Sequence, residues 1–426
     1  MTLDRRGLLA GLGLAGLAAA ATPAAAQTPT PAPRPGFAER LAAEAPKHRL
    51  AMDFDGQAWS GPGLDWLIAE GAAAQFFLLG EEHGIAQVPA LVRQLLPALK
   101  AAGYSRLGLE NSPPATKLLD LAALGGVEGL KRFYAESPPG PAFYTMSNEA
   151  EMLAAVRAAF PKDQPLLFGL DYEVTQDRLL IAALKAKAPA SARAAVAALE
   201  TASRDSWAQF ETTRNPEFIF CFNGDPALVT AIRAAWPQPD PASAEILETL
   251  EQSLTINQHQ TAGRYFQSNE TRALFNRANW ARLWRAETAA GREPKAFFKF
   301  GAGHMIRGRG PTEVYDIGNI VSETATLMGK RSFHLLVVPA AGGHQAAFNP
   351  SAFRYEDIVA ETIDELGLAP LAAQALPGGS TLFDLRPLRP LMPGSVTQTA
   401  DPRLTRVIHG FDAMLLVADS KASGNL

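Results

Sequence analysis

Apolar runs of strand length alternate along this chain with stretches whose apolar residues recur at helical intervals. "AQFFLLG" (74–80) is an unbroken apolar run closed by glycine. "VPALVRQLLPALKAAG" (88–103) carries a helical period and stops at Gly103, and "SRLGLEN" (105–111) returns to a strand. Together they predict a βαβ unit. The alternation recurs with "EAEMLAAVRAAF" (149–160) as helix, "PLLFGLDYE" (165–173) as strand and "DRLLIAALKAKA" (177–188) as helix. Further on, "KAFFKFGAGH" (295–304), "SFHLLVVPA" (332–340) and "MLLVAD" (414–419) read as strands. Strands that are apolar on both faces need cover on both faces, so the predicted fold class is α/β: a largely parallel sheet covered by helices, with a helical insertion. The insertion is the Ala-rich stretch 189–293, broken by "NPEF" and "WPQPDP", between core parts 37–188 and 294–426. The stretches 305–331 and 341–378 read as long loops.

The N-terminus has a different pattern. Arg5 and Arg6 precede an apolar run from Leu8 to Ala20, and Ala24, Ala25 and Ala26 precede Gln27, the layout of an export signal spanning 1–26 and cleaved after Ala26. The paired arginines resemble the bacterial twin-arginine (Tat) signal, which implies a periplasmic or secreted protein. The run is short for a membrane span, so no stable span is expected once the signal is removed. Residues 27–36, with "TPTPAPRPG", are expected to form an extended tether, with order beginning near Phe37.

Composition narrows the partners. With 426 residues, 47% of them hydrophobic and 19% charged, the chain can bury a large core. A formal charge of −4 at pH 7 offers no basic footprint, which excludes nucleic acid as the expected partner and leaves a small molecule. Cys221 is the only cysteine, so no intrachain disulfide forms. Its apolar surroundings in "FIFCFNG" make it a buried hydrophobe, not a nucleophile.

The polar residues then fall into a pattern on this scaffold. Glu81, Glu82 and His83 follow one strand, Glu110 ends the next, Asp171 and Glu173 end a third, and His304 ends a fourth. All lie at carboxyl ends, where open α/β sheets bind ligands. A carboxylate beside an imidazole fixes its tautomer and raises its basicity, so His83 can take a proton from water. Glu81 is preferred over Glu82 as the inward-facing acid. The same residues, His83, His304 and Glu110, are alternatively the ligand set for a divalent metal, and sequence alone does not choose between the two uses. Asp171 either joins the site or caps the following helix. In "NETRALFNRANWARLW", Arg272, Asn276 and Asn279 share one helical stripe and are candidate substrate-binding residues, as is Arg93 inside the first helix. No Gly-x-Ser-x-Gly elbow is present, which argues against a serine nucleophile.

"LLGEEHG" followed by a helix and "LGLEN", then "FYTMSNEAEMLAAVRAAF" with "LLFGLDYE", "RALFNRAN" and "FGAGHMIRG", resembles the erythromycin esterase-like proteins and the related ChaN-like and Tiki proteins. The resemblance runs from about 74 to 310. By position it implies His83 as general base, Glu110 as its activating glutamate, Arg93 as the arginine of the first helix and His304 as the second histidine. It implies ester hydrolysis by activated water in the esterases, a metal-dependent peptidase in the Tiki branch, and haem binding in the ChaN branch. The one-residue spacing of Glu81 and His83, and the "FGAGHM" turn, are nearer the ChaN and Tiki patterns. The expected function is an exported hydrolase of an ester or amide bond. The alternative is a periplasmic protein that holds haem or a metal without turnover.

Overall fold

The computed structural model describes residues 36–392 and 400–426. The predicted leader, and all but the last residue of the tether, lie outside the described residues. Eleven strands occur among the described residues. They are β1 (Arg49–Phe54), β2 (Trp59–Ser60), β3 (Phe76–Glu81), β4 (Tyr104–Leu109), β5 (Leu167–Gly169), β6 (Lys295–Gly301), β7 (Ser332–Pro339), β8 (His344–Asn349), β9 (Arg354–Val359), β10 (Ser380–Asp384) and β11 (Ala413–Val417). Nine of them form one sheet in the order β2-β1-β10-β11-β7-β3-β6-β4-β5, and β8 and β9 form a separate antiparallel hairpin.

From β11 across to β5 every neighbouring pair is parallel. Parallel strands joined by crossover helices bury both faces, and every residue of β3, β7 and β11 is buried. Phe77, Leu79, Leu107 and Phe297 point to one face and meet Leu91, Leu95 and Leu153. Phe76, Leu78, Phe298 and Phe300 point to the other and meet Trp280, Val321 and Val407. Across β3 and β6, Phe77 and Phe297 stack with ring centroids 4.8 Å apart. Each fully buried side chain of this size stabilises the fold by roughly 1.5–3 kcal/mol.

Several expectations change on the scale of single elements. "PLLFGLDYE" pairs only over Leu167–Gly169, because the chain then leaves the sheet to cross the end of β4, where Asp171 N donates to Asn111 O at 3.0 Å. His304 lies not on a strand but in the helical turn Ala302–Met305 that follows β6. The expected loop 305–331 holds the helix Ile317–Leu327, and 341–378 holds the β8–β9 hairpin. Strands β1, β2 and β10, an antiparallel margin, were not foreseen. In the stretch 189–293, Arg193–Thr213, Ala227–Ala235 and Pro241–Thr261 share a separate core with the preceding helix Asp177–Lys187. The last helix, Tyr265–Ala289, instead covers the sheet through Trp280 and Trp284, both edge-on to Phe76. No helix among the described residues is long and apolar enough to cross a membrane.

Candidate active site

Because β3, β6, β4 and β5 are neighbours and parallel, their carboxyl ends open on one edge, and the residues just past them converge there. Glu110 stands at the centre, 6% exposed. Its Oε2 accepts from Gly301 N at 2.6 Å and faces His83 Nε2 at 3.3 Å. Its Oε1 accepts from Arg272 Nη2 at 2.8 Å and faces His304 Nε2 at 3.4 Å. Each imidazole has a second carboxylate behind it: His83 Nδ1 lies 3.0 Å from Glu81 Oε1, and His304 Nδ1 lies 2.7 Å from Asp316 Oδ2. Phe143 stacks on the His83 ring at 4.1 Å.

Two glycines permit this crowding. A Cβ at Gly301 would stand 2.8 Å from His83 Nε2, and one at Gly84 would stand 2.1 Å from Ala346 O, at a φ of +84° that side chains avoid.

Arg272 is held from its own helix and from the β5 end. It donates to both oxygens of Asp171, Nε to Oδ1 at 2.9 Å and Nη2 to Oδ2, and its guanidinium lies 4.9 Å from the centre of the Tyr172 ring. Asn276, with its amide nitrogen turned toward Asp171, donates to Oδ1 at 3.0 Å. Asn279 donates to Leu170 O at 2.8 Å, supporting the backbone that carries Asp171. Neither asparagine lines the cavity: Asn276 holds Asp171 directly and Asn279 holds the backbone before it. Glu173 orders the turn before the helix Asp177–Lys187: its Oε1 accepts from Val174, Thr175 and Gln176 N. Arg93 departs from expectation. It donates to Gln57 O at 2.8 Å and pairs with Glu151 at 3.7 Å, outside the cavity, because its position on the helix Gln87–Leu99 points it away from the strand ends.

The charges reinforce one another. Burial would lower the His83 pKa, but Glu110 and Glu81 outweigh it and hold the imidazole at about 10. Burial and Arg272 oppose protonation of His304, and Asp316 and Glu110 again raise it to about 10. Glu110 would be pushed up by burial, yet His304 and His83 hold it well below the usual carboxylate range.

Around this cluster lies a cavity of about 790 Å³. Glu81, His83, Glu110, Asp171, Arg272 and His304 line one end, Phe143, Tyr172 and the hairpin rings Phe348, Phe353 and Tyr355 form an aromatic wall, and Arg354, Arg403 and Arg406 also line the cavity. This is the volume and lining of a site for one small organic molecule.

No family model matches the chain, and no curated protein matches it. Solved structures do. An erythromycin esterase, EreC, caught as a mutant in its open conformation, superimposes with a TM-score of 0.57 at 15% identity, covering 89% of this chain and 99% of that one. A Bacillus cereus protein gives 0.56 at 15% identity over 92% and 100% of the two chains. A succinoglycan biosynthesis protein gives 0.57 at 12% identity over 91% and 98%. The chain has the erythromycin esterase-like fold.

Within this esterase-like fold, Glu110, Asp171 and His304 bring one ligand atom each within 4.8 Å of one another, a spacing that suits a metal ion. The same atoms also pair with protein groups. The Arg272 guanidinium already donates to both carboxylates, and all four ring nitrogens of His83 and His304 face carboxylate oxygens. A divalent ion held there would share both carboxylates with Arg272, and the carboxylates behind the two Nδ1 atoms are the partners a metal-ligating imidazole also uses. Of the expected metal set, Glu110 and His304 belong to this group, with Asp171 in the place expected of His83.

Three contributors escaped the sequence reading. Asp316 caps the helix Ile317–Leu327 while holding His304, and an Asp before a helical run was its only signal. Lys299 and Glu149 are buried behind Glu81, with Lys299 Nζ 2.6 Å from Glu81 Oε1 and 2.7 Å from Glu149 Oε1. A lysine inside an apolar strand was a legible signal, since buried charge demands a partner.

Proposed function

We propose that this protein hydrolyses an ester or amide bond of a small molecule held in the cavity, with His83 as general base for the attacking water. The observation that carries it is Glu110, which joins two imidazoles and a guanidinium at one end of a cavity with an aromatic wall. Neutral His83, its remaining proton donated from Nδ1 to Glu81, takes a proton at Nε2 as the water oxygen bonds to the carbonyl carbon. The C=O electron pair moves onto oxygen, where Arg272 and the His304 imidazolium offset the new charge. The bond to the leaving group breaks as His83 returns the proton to the departing alkoxide or amine.

His83 is an imidazolium at neutral pH, so the proposed reaction begins from its minority neutral form and speeds up with rising pH. The stacked Phe143 and the hairpin aromatics favour an apolar group of the substrate against that wall, with Arg354, Arg403 and Arg406 also facing the cavity. The Tat-like leader supports work in the periplasm or outside the cell, and cell fractionation with and without Arg5 and Arg6 tests that.

The test of function is turnover of para-nitrophenyl butyrate and a matching anilide. His83→Ala is expected to lower kcat at least about a hundredfold while the melting profile stays cooperative. Unchanged turnover in the folded variant rejects the proposal.

A further inference from the structure

Lys299 is a charge in the middle of β6, 2% exposed, in register with Leu79 of β3 and Leu109 of β4. A leucine or methionine there would complete the apolar strand, and an ammonium removed from water is costly unless well paired. Its pairing is specific. Nζ contacts Glu81 Oε1 from β3 at 2.6 Å and Glu149 Oε1 from the helix Ser147–Ala159 at 2.7 Å, with the Tyr144 ring centre 5.9 Å away.

Glu81 Oε1 is also the oxygen that faces His83 Nδ1 at 3.0 Å, so the ammonium and the imidazole share one carboxylate oxygen. Glu81 Oε2 and Glu149 Oε2, both buried, have no hydrogen-bond partner among the described residues. Without Lys299, Glu81 and Glu149 would be two buried carboxylates, with His83 left as the cation holding Glu81. Burial already pushes Glu149 up to about 7, with Lys299 opposing the rise.

We propose that Lys299 is a positioning residue: it clamps Glu81 Oε1 against His83 Nδ1 and so fixes the imidazole with its proton on Nδ1 and Nε2 as the base. This rests on His83 being the general base, as proposed above. A carboxylate that orients an imidazole is itself useful only when held, and here the hold comes from a second strand of the same sheet.

The test reads the His83 ring nitrogens by NMR, which reports the tautomer whether or not turnover occurs, together with kcat and KM for para-nitrophenyl butyrate. In the wild type, deprotonating the imidazolium at high pH is expected to remove the Nε2 proton. Loss of the Nδ1 proton instead overturns the proposal whatever the variants do. Lys299→Met combined with Glu149→Gln removes one charge of each sign. It is expected to give mixed His83 tautomers and a kcat lower by about 10- to 100-fold, with KM within about twofold. Lys299→Gln in the same Glu149→Gln background, which keeps a donor for Glu81 Oε1, is expected to recover most of that loss. A folded Lys299→Met double variant that retains the Nδ1 proton and wild-type kcat makes Lys299 merely structural and ends the proposal. Wild-type turnover by His83→Ala would instead sink the proposed function and leave the tautomer result standing.

Discussion

Replacing Glu110 by Gln keeps the side chain's shape and removes the charge that two imidazoles and a guanidinium share. The contacts at stake are Gly301 N at 2.6 Å, Arg272 Nη2 at 2.8 Å, His83 Nε2 at 3.3 Å and His304 Nε2 at 3.4 Å. At an effective dielectric of about 20, unit charges at these imidazole distances attract by about 5 kcal/mol, equivalent to between about three and four pKa units. The His83 side chain is 27% exposed, so solvent screening reduces the expected fall to about two to three units. His83 should then titrate near neutrality instead of at about 10.

The pH profile of kcat/KM should follow. In the wild type the rate keeps rising above neutrality, whereas Glu110→Gln should level off about two to three units lower, on a reduced plateau because Glu110 no longer supports His83 or Arg272. Removing one partner from a buried charge network costs about 3–5 kcal/mol, so the variant should also unfold at lower denaturant. The assays are kcat/KM against pH and an NMR titration of His83. A midpoint that stays within about half a unit of the wild type refutes the idea that Glu110 sets the imidazole's basicity.

For the unmodified protein, kcat/KM should rise about tenfold per pH unit between about pH 6 and 9, and a flat profile would exclude a base that starts protonated. Stability should run the other way. Both site imidazoles have folded pKa values of about 10, above the ordinary value of about 6.5 in the unfolded chain. Their stabilisation is fully present below about pH 6.5 and is lost as pH rises through about 10, so the melting temperature should fall over that range. A melting temperature that holds steady to about pH 10 would contradict the pairing. Gly301→Ala should displace His83 from Glu110, cutting kcat about tenfold or more for a stability loss of about 1–3 kcal/mol, and wild-type kcat would show the close approach to be unimportant. Dialysis against a chelator should leave turnover within about twofold, and loss restored by zinc or manganese would reinstate a metal at Glu110, Asp171 and His304.

The local pattern of the chain determined most of the parallel strands and their helices, because a doubly covered strand must be apolar throughout and a surface helix must repeat at 3.6 residues. It also placed Glu81, His83, Glu110, Asp171 and His304 at or just beyond strand ends, since each follows an apolar run directly. The antiparallel strand β1 was not legible, because its burial is partial and its residues, Arg49 to Phe54, mix polar with apolar. Nor was the hairpin that supplies Phe348, Phe353 and Tyr355, for the same reason.

Only the tertiary structure decided which of the strand ends meet. Strand β6 enters between β3 and β4 although it comes after the whole helical stretch, and that insertion sets Gly301 against Glu110 and Lys299 against Glu81. It also separated Arg272, which reaches the site across one helix face, from Arg93, which does not. Hydrophobic periodicity reports the environment of each residue along its own segment, whereas an ion pair between residues 110 and 272 depends on the order of strands in a sheet, and no local pattern encodes that order.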